Sequence, residues 1–168
     1  MARTLYRYAQ GLIEVGDVMV KDGDHLGRLT KDQLAAERAL RAVSTEKAKT
    51  RENALFAWTD YELARQSGAI LERPYLYTLQ VEDRDVLFES DLQHYTDVEE
   101  AIRAGRDPGD AIRRYWENAP SSDSKSRTEV LFTFGTVLKR ELLPTKADYI
   151  RQKISGGRKL EEFDPFAD

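Results

Sequence analysis

Between Arg127 and Phe134 the chain reads Arg-Thr-Glu-Val-Leu-Phe-Thr-Phe, a stretch suited to a packed strand but opened by a carboxylate. Val130, Phe132 and Phe134 alternate with Leu131 and Thr133, and β-branched and aromatic residues fit a pleated, covered surface. Glu129 at the mouth of such a strand is expensive to bury unless it is paired, hydrogen-bonded or at work on a ligand. The plain alternative is a charge at the sheet edge, just before the strand enters the core.

The rest of the chain supplies strands and helices to surround it. Thr4 to Ala9 reads as a first strand, with Leu5 and Arg7 on one face and Tyr6 and Tyr8 on the other. A glycine-broken segment follows, with a short strand at Asp17 to Lys21. Thr30-Lys31-Asp32-Gln33 has the pattern of a capping box and opens a helix through Leu34, Ala35, Arg38, Ala39, Ala42 and Val43. Ala54 to Trp58 reads as a short buried strand; Thr59-Asp60-Tyr61-Glu62 then caps a helix that ends at Gly68. Tyr75 to Val81 and Asp85 to Phe88 are strands about a turn at Glu82-Asp83-Arg84. Thr96-Asp97-Val98-Glu99 and Asp107-Pro108 each announce another helix. Pro120 to Lys125 is a polar loop before the Glu129 strand, and Gly135 precedes a strand through Val137 and Leu138. Beyond Pro144 either a helix or a strand fits around Tyr149 and Ile150.

Strands outside a regular βαβ alternation, with helices inserted between them, predict an α+β fold on a mixed β-sheet. The 168 residues suffice for one domain, expected over 1–155, with 156–168 as a flexible, mostly acidic tail.

Composition narrows the chemistry. The chain has no cysteine, which removes disulfides, thiolate metal sites and cysteine nucleophiles. Its two histidines, His25 and His94, lack metal-ligand spacing and read as solvent-facing, so no metal is expected. A net charge of −4 with mixed signs gives no general case for nonspecific nucleic-acid binding. No apolar stretch reaches the roughly 18–20 residues of a membrane span, and no signal-peptide core opens the chain. The expectation is a cytoplasmic protein without a membrane partner; export by a dedicated machine would leave the same sequence. There is no glycine-rich phosphate loop before a helix and no Gly-x-Ser-x-Gly elbow, so phosphoryl transfer and serine hydrolysis fall away. Arg, Ser/Thr, aromatic and Glu residues at strand starts remain.

In that order these pieces resemble the ADP-ribosyltransferase fold family, in its arginine-serine-glutamate branch. Leu5-Tyr6-Arg7 is similar to the family's opening strand. Thr50-Arg51-Glu52-Asn53-Ala54-Leu55-Phe56-Ala57 and the helix bearing Leu63-Ala64 resemble the middle motif. Tyr75 to Val81 with Asp85-Val86-Leu87 resemble the central strand pair, and Glu129-Val130-Leu131-Phe132 then Gly135-Thr136-Val137 the strand of the catalytic glutamate and its exit. Two departures stand out: Ser44-Thr45 comes early for a Ser-Thr-Ser motif, and position 127 is Arg where arginine- or asparagine-modifying members carry Glu or Gln.

The resemblance implies an NAD-dependent mono-ADP-ribosyltransferase, with NAD as co-substrate and a protein, nucleic acid or small molecule as acceptor. Glu129 is its expected catalytic residue, stabilising an oxocarbenium-like transition state. Arg7 is expected to bind NAD phosphate or ribose oxygens, with Arg51 a second candidate for the phosphates. Thr50 or Asn53 would orient Glu129 or a ribose hydroxyl, and Phe56 or Tyr77 would pack on the nicotinamide. Arg127, in the loop before Glu129, would face the acceptor. By analogy the family suggests a toxin or effector. Two other readings stay open: a non-catalytic interaction domain of the same fold, and an NAD glycohydrolase. In their plain roles, Tyr6, Tyr8, Tyr75 and Tyr77 pack on one another, Arg7 makes a surface ion pair, and Arg51 and Asn53 form a turn.

Overall fold

The first strand, β1 (Ala2–Ala9), lies in the middle of the sheet and is flanked on both sides by partners from later in the chain. The structure is a computed structural model, and it describes residues 1–21, 25–120 and 127–156. Its seven strands run in the order β2-β7-β4-β1-β3-β6-β5. They are β2 (Val18–Val20), β3 (Leu55–Trp58), β4 (Tyr75–Glu82), β5 (Val86–Asp91), β6 (Thr128–Phe132) and β7 (Phe134–Leu142) beside β1. Helices α1 (Lys31–Arg41), α2 (Thr45–Glu52), α3 (Tyr61–Ile70), α4 (Leu92–Arg103), α5 (Gly109–Glu117) and α6 (Lys146–Ser155) are inserted between and after them.

The fold is α+β as expected, but the sheet is antiparallel throughout the described residues rather than mixed. The reason is the place of β1. Strands β3 and β4, joined by α3, run parallel to each other, yet β1 lies between them and pairs antiparallel with both.

Cross-strand partners share a face of a sheet. One face carries Leu5, Leu55, Ala57, Tyr77, Leu79, Val81, Val130, Phe132 and Val137, which form an apolar cluster with Met19 of β2. The other face is covered by helices. Ala36, Leu40, Val98, Ala111 and Tyr115 make a core between α1, α4 and α5, against which Phe88 of β5 packs. Ala64 of α3 packs with Trp58, Leu76, Tyr6 and Tyr8.

Strand β1 meets β3 at a single residue pair, Tyr6 opposite Trp58, whereas it pairs with β4 from Ala2 to Ala9. The sheet is therefore two ladders, β2-β7-β4-β1 and β3-β6-β5, joined at one seam. Aromatic rings bind the seam: Tyr8 stacks on Trp58 at 4.7 Å, and Tyr6 meets Tyr61 of α3 edge-on at 5.3 Å. The four tyrosines thus do not form one group as expected. Tyr75 and Tyr77 contact each other at 6.1 Å, while Tyr6 and Tyr8 serve the helical face.

Helix starts follow local chemistry, with shifts. The Thr30 box forms fully: Gln33 N–H donates to Thr30 Oγ1 at 3.3 Å, and Thr30 N–H to Gln33 Oε1 at 3.1 Å. Helix α3 is capped by Asp60, whose Oδ1 accepts from Leu63 N–H at 2.7 Å, not by Thr59. For α4 the expected start at Thr96 is wrong by a turn. Asp91 caps it at the end of β5, and Thr96 lies inside the helix, its hydroxyl bonded back to Leu92 O at 3.3 Å. Helix α5 begins at Gly109, one residue late, with Pro108 at the cap and Asp107 Oδ1 accepting from Gly109 N–H at 2.9 Å. Beyond Pro144 the chain is helical, as α6, rather than a strand. The expected polar loop and acidic tail fall largely on 121–126 and 157–168, outside the described residues.

Gly68 does not end α3, which runs on to Ile70. A Cβ at Gly68 would sit 2.5 Å from Leu143 Cδ1 and 2.7 Å from Tyr8 Cβ. Leu143 can rotate away, but Tyr8 Cβ is fixed to the strand, so Gly68→Ala must push α3 off β1. A loss of about 1–3 kcal/mol is expected, read as a lower urea midpoint; an unchanged midpoint would show that α3 is free to shift.

Candidate functional site

Glu129 opens the described part of the helical face of β6. The register aligns Tyr6, Trp58, Glu129 and Ser90 across four strands, so their side chains share that face. Glu129 is 6% exposed. Above it stands Tyr115 of α5, wholly buried, whose hydroxyl donates to Glu129 Oε2 at 3.0 Å. Tyr115 is fixed in turn by Phe88 and Trp116 at 5.5 and 5.2 Å between rings, and by Ser90 Oγ, which donates to its carbonyl at 2.9 Å.

Arg51 enters from α2. Its Nη1 donates to the Tyr115 hydroxyl oxygen and lies 3.9 Å from Glu129 Oε2. The other donors meet Glu37 of α1 as a fork: Nε to Oε1 at 2.8 Å and Nη2 to Oε2 at 2.7 Å. Arg41, one turn along α1, adds Nε to Glu37 Oε1 at 2.9 Å, and His25 Nε2 lies 3.7 Å from Oε2. The guanidinium of Arg51 sits over the rings of Phe56, Tyr115 and Tyr95 at 5.0, 5.2 and 5.5 Å. A buried polar chain thus runs Glu37–Arg51–Tyr115–Glu129.

These neighbours set the charges. Burial alone would push the Glu37 carboxyl up, but hydrogen bonds from His25, Arg51 and Arg41 hold it well below the usual carboxylate range. For Glu129 burial wins and the carboxyl is raised, although Arg51 and the Tyr115 hydroxyl pull against it. Burial and the adjacent Glu129 charge push the Tyr115 phenol well up, so its hydroxyl stays protonated. Among the described residues Glu129 Oε1 has no hydrogen-bond partner, so one carboxylate oxygen is clamped and the other is available.

The structure brings Arg51 and Phe56 to Glu129, but in roles other than those expected. All of Arg51's donor groups point into the protein, at Glu37 and Tyr115, rather than outward to a phosphate; nor does it form a turn. The Phe56 ring packs under Arg51 and against His25, 4.7 Å between ring centres. Thr50 and Asn53 do not reach Glu129: Thr50 Oγ1 donates to Glu46 O at 3.0 Å within α2, and Asn53 is the exposed C-cap of that helix. Tyr77 lies on the opposite face, where its hydroxyl donates to Gly11 O at 2.7 Å and accepts from Ile13 N–H at 2.9 Å, pinning that loop. Arg127 stands half-buried beside the mouth of β6, its carbonyl accepting from Leu92 N–H at 3.0 Å.

Arg7 stands at the seam. It alternates with Tyr6 and is the cross-strand partner of Tyr77, so the pleat turns it to the face opposite Glu129; its Nη1 donates to Phe56 O at 2.5 Å, just past the pair that joins β1 to β3. Phe56 therefore touches both arginines, Arg7 through its carbonyl and Arg51 through its ring. Burial pushes the Arg7 guanidinium down to about 10, helped by repulsion from Arg28 and Arg73. No carboxylate among the described residues pairs with it, so the surface ion pair offered as its plain role is absent.

Sequence reasoning missed Glu37 and Tyr115. Glu37 had a signal, since it sits on the buried arc of α1 beside Ala36 and three residues before Leu40. Tyr115 belongs to the helix that Asp107-Pro108 announces and is core, apart from its hydroxyl. His94 is a correction: it is buried in α4, with Nε2 donating to Ala119 O at 2.6 Å. Among the described residues no three His, Asp or Glu side chains gather as a cation site, and no helix is long and apolar enough to cross a membrane. No family model and no curated protein matches the chain.

Proposed function

We propose that this chain is an NAD-dependent mono-ADP-ribosyltransferase. The observation that carries the reading is Glu129 itself, a buried strand-mouth carboxylate with Oε2 clamped by Tyr115 and Oε1 unengaged among the described residues. Carboxylates whose titration is shifted by burial and a specific partner cluster at functional sites, and Glu129 is such a group.

In this mechanism the bond between the nicotinamide nitrogen and ribose C1′ breaks, and its electron pair leaves with nicotinamide, which departs neutral. The ribose carries the resulting positive charge. Glu129 Oε1 accepts a hydrogen bond from a ribose hydroxyl, and the carboxylate stabilises the oxocarbenium-like centre. Arg7 supplies a guanidinium to the phosphate oxygens. An acceptor nucleophile then bonds to C1′ and releases a proton. With water as the acceptor, the same residues would perform glycohydrolysis.

Incubating the purified protein with labelled NAD and a cell lysate should label an acceptor and release nicotinamide. Glu129→Gln, nearly isosteric, should reduce both by at least about a hundredfold. A wild-type protein that neither labels nor releases would remove the enzymatic reading. One observation favours a non-catalytic domain instead: Arg51, in the middle motif, is spent on Glu37 inside the protein. Calorimetric titration with NAD separates the two, since a transferase should bind it with a dissociation constant of about 1 μM to 1 mM.

A further inference from the structure

We propose that Tyr115 is the positioning residue for Glu129, performing from α5 the orienting task that the sequence reading gave to Thr50 or Asn53. The inference rests on Glu129 being the catalytic carboxylate. Direction is fixed by the neighbours. Arg51 Nη1 donates into the Tyr115 hydroxyl oxygen, so the hydroxyl proton is left to point at Glu129 Oε2 at 3.0 Å. Arg51 cannot turn away, because Glu37 holds it at 2.8 and 2.7 Å. The Tyr115 ring cannot turn away either, packed as it is on Phe88, Tyr95 and Trp116. A strand-mouth Glu has several rotamers, and this hydroxyl selects the one that commits Oε2 and leaves Oε1 for a substrate hydroxyl.

The hydroxyl also bears on the charge of the carboxylate. The titratable groups around Glu129 are Arg51 on α2, Tyr115 on α5, Glu37 on α1 and His25 in the turn before it, with Tyr8 of β1 and Tyr95 of α4 also in range. Among the described residues only Tyr115 donates a hydrogen bond to it. Losing that donor leaves burial less opposed, so the midpoint of Glu129 must rise.

The test compares wild type with Tyr115→Phe, which keeps the ring packing, and with 3-fluorotyrosine placed at position 115, whose more acidic hydroxyl is a stronger donor. The Glu129 midpoint is read by carboxyl carbon NMR, independently of turnover, and nicotinamide release is followed against pH. The phenylalanine variant should raise the midpoint and move the acid limb of the rate profile to higher pH. It should also lower kcat about ten- to hundredfold while leaving the NAD KM within about threefold. The fluorinated protein should move the midpoint the other way. A midpoint and kcat unmoved in both variants would overturn the proposal, as would a loss confined to KM. Midpoints that move in a protein silent toward NAD would keep the clamp, refute the catalytic assignment, and locate the failure in the functional reading.

Discussion

Replacing Arg51 with methionine is expected to destabilise the protein by about 3–5 kcal/mol, the usual consequence of removing one partner from a buried ion pair. The substitution keeps most of the aliphatic volume between the rings of Phe56, Tyr95 and Tyr115, but leaves the Glu37 carboxylate, 0% exposed, with Arg41 as its main remaining cation. Adding Glu37→Met should recover much of the loss, because a buried pair exchanged for apolar groups is often neutral. Arg41 survives that exchange, with Glu52 3.6 Å from its Nη1. Urea unfolding of the two singles and the double measures the coupling. Acid adds a second readout. Glu37 titrates lower in the folded protein than in the unfolded chain, where it takes a value near about 4.3. Its stabilisation is therefore present above that unfolded value and is lost as pH falls toward the folded one. Between about pH 4 and pH 2 the wild type should lose stability more steeply than Glu37→Gln. Equal slopes would mean that Glu37 is not the anion holding Arg51.

Arg7→Met should behave in the opposite way, leaving stability intact or higher while weakening NAD at least tenfold. In the structure this guanidinium is half-buried, bonded to the Phe56 carbonyl, and repelled by Arg28 and Arg73. Its one bond across the seam is offset by the repulsion that removing its charge relieves. Toward a pyrophosphate the same group makes charge-assisted contacts worth about 1.5–3 kcal/mol. Calorimetric titration with NAD and urea midpoints on the same preparations separate the two effects. Unchanged NAD affinity would take the seam between β1 and β3 out of the binding site.

The sequence carried the outline of this site better than its centre. Glu129 stood out because it is a charged residue at the mouth of an alternating strand, where charge is out of character. The Thr30 box was readable because both of its bonds are local in sequence. Helix α2 was not. Thr45 to Glu52 is polar nearly throughout and offers no apolar stripe; its Arg51 faces inward because of tertiary contacts, the fork to Glu37, the Tyr115 hydroxyl and three aromatic rings. Tyr115 escaped for another reason. A tyrosine on an apolar helix face looks the same whether its hydroxyl is idle or bonded to a carboxylate, and α5 reaches Glu129 only through the stacking of helices on the sheet. Thr96 was misread as a cap because Asp91, at the junction of β5 and α4, had already taken that role.

The narrow junction between β1 and β3 has a mechanical consequence. A ladder of many backbone bonds resists bending along its whole length, whereas one residue pair acts as a pivot. Cohesion across that line passes to side chains, above all the stack of Tyr8 on Trp58 and the edge contact of Tyr6 with Tyr61. Side-chain contacts can slide by tenths of an ångström without breaking, which backbone ladders cannot. Across this line the two ladders are joined by rings, by the Arg7 bond to the Phe56 carbonyl and by the shared apolar cluster more than by backbone pairing.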